Sequence, residues 1–320
     1  MLERTNSTPS TAGAPGPLIR LRGLSRLSLP PGGIGIRENG EEVPQQLDSG
    51  LDESQAHIFL TRFIRDVLTD SIPWLCHGIW PQDRDLQKYP TSKGGVESYK
   101  RTFSIAELHG MDVRGDSEAS RKNETWHARR SWHHNSWVKG TATWEEFARH
   151  FKRQHFESEK SWCKSVIDAR RAMYWDTTDI ELEACGVECH NISMDVVEMK
   201  HKTKPKPFMK DRTFPVLLTT ASIRGSSGFL VISIPLTDFE YSEFAVYAGD
   251  QSLVVAAYAA VEKIHILPTG EIEWIMATAA DGNSSAPRWI QEFMIKRAVR
   301  KDVGMYMEWV NEERRRRTRT

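Results

Sequence analysis

The segment Trp126-His-Ala-Arg-Arg-Ser-Trp-His-His134 concentrates basic, hydroxyl and imidazole groups in nine residues. Read as a strand, it places Arg130, Trp132 and His134 on one face and Arg129, Ser131 and His133 on the other. Ser131 and His133 can hydrogen-bond there, which is the first half of an activated nucleophile. No nucleophile-elbow sequence accompanies the pair, and neither a third partner nor an oxyanion hole is evident. Arg130 suits a different role, as a pocket cation for a carboxylate or phosphate. His133 and Glu262 are the groups to test first for acid/base work.

The stretch from Leu253 to Leu267 alternates in the same way. One face reads Val254, Ala256, Tyr258, Ala260, Glu262, Ile264 and Ile266, apolar except for Tyr258 and Glu262. A carboxylate on such a face must be paired, neutral or turned to a wet cavity. It is either a polar anchor for a ligand or a hydrogen-bonded structural group near a rim. The following strand sets Trp274, Met276 and Thr278 on one face, material for a broad apolar cavity or for plain core. Asp302 falls within the apolar arc of the last helix, where it can line a cavity or pair with an arginine. Cys185 and Cys189 lack the second ligand pair that structural zinc requires, so no metal is expected. The loop 200–210, with Lys204, Lys206, Phe208 and Met209, reads as a docking tip for an anionic membrane or as a solvated loop.

These groups need a frame. Asp52 with Gln55 forms a capping box, and Leu60, Phe63, Ile64, Val67 and Leu68 follow at helical spacing until Pro73. Thr143 with Glu146 opens a second helix with Phe147 and Phe151 on one side, and the spacing predicts a third over 158–172, with Trp162, Val166 and Ile167 inward. Strands are expected over 99–105, 124–134, 184–199, 212–222, 229–236, 253–267 and 271–280. Leu267-Pro-Thr-Gly-Glu271 joins the last two as a hairpin. A long helix closes the chain, with Val299, Val303, Met305, Tyr306, Trp309 and Val310 sweeping half its circumference. The order predicts an α+β protein with a mainly antiparallel sheet.

Composition excludes several classes. The 320 residues carry 43 Lys plus Arg against 43 Asp plus Glu, so no basic excess points to nucleic acid. Four Cys are too few for a disulfide scaffold, and no stretch approaches the ~20 apolar residues of a membrane span. No Gly-rich phosphate loop or nucleotide fingerprint is present, so no cofactor is called for. The absence of acidic residues between Arg4 and Arg37 resembles a mitochondrial presequence, yet the near-alternating apolar residues of 17–24 read as a docked segment; the expectation is a cytoplasmic protein.

Trp126–His133, Gly140-Thr-Ala-Thr-Trp-Glu-Glu-Phe147, Arg212-Thr-Phe-Pro-Val216, Phe229–Pro235, Tyr258–Glu262 and Glu273–Thr278 together resemble a mostly fungal family of unknown function within the START-like (helix-grip) superfamily. The resemblance covers residues 17–313. It leaves a disordered tail over 1–16 and a basic tail over 314–320. It implies a curved sheet gripping the C-terminal helix around a hydrophobic cavity. The expected function is binding or carrying a lipid, sterol, terpenoid or polyketide. The alternative is a cofactor-independent cyclase or isomerase of specialised metabolism acting in the same cavity. Tyr258, Glu262, Trp274, Met276, Trp132 and Asp302 are the expected ligand contacts, with Glu262, His133 and Arg130 catalytic if the protein is an enzyme.

Overall fold

The computed structural model describes residues 16–47, 50–75, 80–110, 122–203, 209–281 and 288–318. The first elements are β1 (Ile34–Ile36), β2 (Glu42–Pro44), α1 (Glu53–Ser71), β3 (Gln82–Lys88), β4 (Gly95–Phe103), α2 (Ile105–Gly110) and β5 (Glu124–His133). An insertion follows, made of α3 (Trp144–Phe147), a π-helical turn over Ala148–Arg153 and α4 (His155–Trp162). Then come β6 (Val166–Tyr174), β7 (Leu182–Ala184), β8 (Val187–His201), β9 (Arg212–Ile223), β10 (Gly228–Pro235), β11 (Val254–Val255), β12 (Ala257–Ile266), β13 (Ile272–Asp281) and α5 (Arg288–Arg317).

The strands form one sheet in the order β2-β1-β6-β8-β9-β10-β12-β13-β5-β4-β3. Its pairings are antiparallel apart from the short β11, which runs parallel to β9. Hairpins of this kind need only short loops, and Gly270 at φ +83° supplies the left-handed turn between β12 and β13. Alternation along each strand splits the core in two. One face packs Val196, Leu217, Ile232 and Val261 against α1 through Leu60, Ile64 and Leu68. The other packs Val197, Leu218, Val231, Ile264 and Trp274 against the insertion and α5 through Phe147, Phe151, Tyr306 and Val310. Each such side chain fully buried contributes about 1.5–3 kcal/mol.

Both anticipated capping boxes form, at Asp52 with Gln55 and at Thr143 with Glu146. The segment from Pro17 to Leu24 is docked: Ile19 is fully buried and Leu24 bridges Leu236. Gly23 at φ +66° permits that approach, because a Cβ there would lie 2.3 Å from the carbonyl of Pro235.

The expected helix over 158–172 is corrected. α4 ends at Trp162, Cys163 is extended, and Val166–Tyr174 is a strand laid between β1 and β8, leaving Ile167 exposed. Pairing on both edges overrides the helical propensity of Asp168-Ala-Arg-Arg-Ala172. The last helix likewise runs through Arg317, beyond the boundary expected at 313. Arg314 donates through Nε to Glu146 at 2.7 Å and through Nη1 to the carbonyl of Trp137 at 2.9 Å, so the start of the basic tail is an anchor. A second tie lies mid-helix, where Thr91 Oγ1 donates to the carbonyl of Gly304 at 2.8 Å.

Candidate functional site

The face of the sheet beneath α5 carries Arg129, Ser131 and His133 from β5, Trp274, Met276 and Thr278 from β13, and Tyr258 and Glu262 from β12. Register places them side by side, with Glu262 opposite Met276 and Trp274 opposite Ser131. The guanidinium of Arg129 lies over the Trp274 ring, 3.6 Å from its centroid, and its Nη2 reaches Met276 Sδ at 3.4 Å. Its Nε and Nη1 are buried without a hydrogen-bond partner. Trp274 Nε1 donates to Glu262 Oε2 at 2.7 Å.

The insertion completes the cluster from above. The imidazole of His155, the first residue of α4, has Nε2 3.9 Å from Glu262 Oε1 and Nδ1 3.8 Å from Glu159 Oε2. Those separations are too long for hydrogen bonds, and neither ring nitrogen has another partner. Asp302 reaches the same neighbourhood from α5, where its charge acts on Arg129 and Glu262.

Burial dominates the electrostatics. It raises the carboxyl of Glu262 above its usual range, while Arg129 and the Trp274 N–H pull it back. Burial lifts Asp302 to about 7 against the pull of Arg129, and lifts Glu159 to about 8 with help from Glu262 and Asp302. The Tyr258 hydroxyl is pushed well above 10 by burial and the nearby carboxyls. His155 falls to about 4 by burial alone. The result is a buried arginine facing the carboxyls of Glu262 and Asp302, with Glu159 beside those two; Asp302 and Glu159 titrate near neutrality.

The Ser131–His133 pair exists, with His133 Nε2 2.8 Å from Ser131 Oγ. It is sealed, however. Ser131 and His133 are almost wholly buried, and His133 contacts Phe147 at 5.5 Å and Trp274 at 6.3 Å between ring centroids. Its Nδ1 has no partner, and burial with the charge of Arg129 drops the imidazole to about 3. A base of that kind without a carboxylate behind it is a packed core histidine. The aromatic group continues upward, with Phe151 4.5 Å from Trp274 and 4.7 Å from Tyr306.

Arg130 and Trp132 point the other way. Arg130 Nε donates to Glu273 Oε1 at 2.5 Å, and its guanidinium sits 4.7 Å from the Trp132 ring centroid, on the sheet face opposite α5. The buried cation of the concave face is its neighbour Arg129. Cys185 does not share a strand face with Cys189: it occupies the turn before β8 at φ +51°. Among the described residues no His, Cys, Asp and Glu group suited to a metal occurs. Lys204, Lys206 and Phe208 lie outside the described residues; Met209 is partly buried.

The helix-gripping sheet, with its polar cluster under the last helix, can be set beside known proteins. Residues 126–310 match a family model described as a protein of unknown function, DUF3074. The chain belongs to DUF3074. That match spans β5 through most of α5, and so takes in Arg129, His155, Glu262, Trp274 and Asp302. No curated protein matches the chain. Among solved structures, human StAR-related lipid transfer protein 5 aligns over 80% of this chain and 98% of that one, with TM-score 0.53 and 9% identity. The crystal structure of human STARD10 aligns over 86% of each chain, with TM-score 0.43 and 14% identity. The fold of this DUF3074 member is START-like.

Sequence reasoning missed Arg129, His155 and Glu159. Arg129 was legible as half of an Arg-Arg dipeptide whose two members must face opposite ways. His155 and Glu159 stand four apart, one turn of a helix, but their approach to Glu262 depends on how the insertion docks.

Proposed function

We propose that this chain binds a hydrophobic small molecule beneath α5, as a carrier or binding protein for a lipid, sterol, terpenoid or polyketide. The observation that carries this reading is Arg129, a buried cation with two unpartnered guanidinium nitrogens on the face the helix covers. Leaving buried donors unpaired costs about 1–3 kcal/mol, so a ligand acceptor atom there recovers stabilisation the apoprotein lacks. Tyr258, Met276 and Thr278 continue that face, Glu262 and Asp302 supply further polar contacts, and apolar burial supplies most of the affinity. The fold it shares with a protein named for lipid transfer favours the same reading. As a carrier it would collect cargo at anionic membranes through the loop 200–210.

A second reading is favoured by Glu159 and Asp302, whose carboxyls hold protons near neutral pH. Such groups can protonate an enol, alkene or carbonyl, so a cyclase or isomerase could operate in the same space.

The test is native mass spectrometry of the purified full chain for a co-purifying hydrophobic compound, repeated on Arg129→Met. A bound compound lost in the variant while the fold persists supports the proposal. An empty wild-type protein that also takes up no lipid from vesicles removes it. Turnover of an added polyketide or terpenoid precursor, abolished in Asp302→Asn, would favour the enzyme.

A further inference from the structure

The loop 135–142, between β5 and α3, presents two neighbouring apolar side chains to solvent: Trp137 is 68% exposed and Val138 52%. The exposure is built in. Asn135 and Ala142 bridge the base of the loop, and Asn135 Oδ1 accepts the Trp144 N–H at 2.9 Å. The buried Thr141 places its hydroxyl 2.8 Å from the carbonyl of Ser136 and 2.6 Å from that of Val138. Gly140, at φ +83°, accepts the Lys93 N–H at its carbonyl at 2.9 Å. Arg314 closes the far side, its Nη1 donating to the carbonyl of Trp137 and its guanidinium lying 4.8 Å from the Trp137 ring centroid. A loop tied at so many points holds its apolar tip outward with little left to order on binding.

The charges beside the tip are basic on balance. Glu146 is taken by Arg314, Glu145 by Arg153, and Glu313 by both Arg149 and Arg317. Glu312 stands 3.8 Å from Arg316, and Glu271 3.6 Å from His134. Lys93, Lys139 and Arg315 are exposed, with no carboxylate partner among the described residues. Arg314–Arg317 span a full helical turn, so positive charge surrounds the end of α5 next to Trp137.

We infer that this end of the molecule docks on an anionic lipid bilayer, with Trp137 and Val138 entering the head-group layer and the arginine-ringed helix end resting on the lipid phosphates. Tryptophan favours that layer because its ring is apolar and its indole N–H polar. Two side chains are too little apolar area for a stable protein interface, which takes about 800 Å² per partner. A bilayer adds diffuse attraction for every unpaired cation at its surface. The docking end is distinct from the loop 200–210. Register sets His133, Ile272, His265, Gly228 and Ile223 along one end of the sheet, and His201 with Arg212 at the other. The surface therefore depends neither on that loop nor on what occupies the interior.

The test is co-sedimentation of the full-length protein with vesicles of phosphatidylcholine and phosphatidylserine, and with vesicles of phosphatidylcholine alone. The anionic vesicles should bind it, the neutral ones should not, and added salt should weaken binding. Trp137→Ser and Val138→Glu should each lower the affinity by about tenfold or more, and Arg315→Glu by about fivefold. Ile58→Ser, which removes an equally exposed apolar side chain from α1, should change nothing. Thermal melts confirm that each variant is folded. No binding to anionic vesicles, or equal binding to neutral ones, overturns the inference. So does binding that falls in Arg315→Glu but not in Trp137→Ser, which would mark a site for any polyanion, nucleic acid included. Binding lost only in Lys202→Glu, at the opposite end of the sheet, would move the contact there and also overturn it. Vesicle binding through Trp137 by a protein that retains no hydrophobic compound would leave this surface standing while the proposed carrier function falls.

Discussion

Arg129 and Trp274 form the pivot of the concave face: the guanidinium covers the indole at 3.6 Å while the indole N–H, on the ring's edge, is given to Glu262. One aromatic ring therefore links a buried cation to a buried carboxylate that do not themselves hydrogen-bond. Such stacking on a desolvated ring is worth about 2 kcal/mol.

Replacing Arg129 by Met should change unfolding free energy by less than about 2 kcal/mol. The variant loses the stacking but also removes two unpaired donors and a buried charge. Ligand retention should fall at least tenfold. Arg130→Met, on the opposite face, should leave retention unchanged. Urea denaturation and native mass spectrometry on both variants decide it; equal loss of ligand in the two would place the binding face wrongly.

Stability should peak near pH 6 and decline on both sides. Glu159 and Asp302 have folded values raised to about 8 and 7, so their contribution is whole at low pH and is lost as pH rises through those values. His133 and His155 are depressed to about 3 and 4, so their contribution is whole above about 6.5 and drains away as pH falls toward the folded values. Thermal melts from pH 4 to 9 should show both limbs, and Glu159→Gln should flatten the alkaline one. A melting temperature that climbs from pH 6 to 8.5 would contradict the assignment.

Glu146 accepts from the backbone of its own N-cap at 2.7 Å and from Arg314 at the far end of the chain. Glu146→Ala should cost about 3 kcal/mol, combining a lost cap with an arginine left partly buried and unpaired. Deleting 314–320 should cost a similar amount. Denaturant midpoints on the two variants test this, and a neutral deletion would mean that the C-terminal arginines are a free tail.

Ser131→Ala should cost about 1 kcal/mol, the hydrogen bond to His133, and should not alter any ester hydrolysis. Loss of a genuine esterase activity in this variant would reopen the nucleophile reading.

Much of the fold is written locally. Asp52-x-x-Gln55 and Thr143-x-x-Glu146 announce their helices, and Leu267-Pro-Thr-Gly-Glu271 announces its hairpin, because each depends on neighbours in the chain. The stretch 158–172 misleads because a helix-favouring run is claimed by two adjacent strands. For the site, alternation identifies Glu262, Trp274 and Met276 as sharing a face. It cannot say which of Arg129 and Arg130 faces the helix, since both faces of β5 mix polar and aromatic groups. That choice is made at a distance, by Glu273 taking Arg130 and Trp274 taking Arg129.

The tie between Thr91 and Gly304 sets how the last helix can behave. A Cβ at position 304 would sit 3.2 Å from Thr91 Oγ1 and from Tyr89, so glycine is what allows the close crossing, at about 1 kcal/mol of helix propensity. The rod is thus fastened at its midpoint and again near its end, with its weakest residue at the first fastening. Movement that admits a guest should hinge there, swinging the half ahead of Gly304 while the half that carries Tyr306 and Arg314 stays clamped.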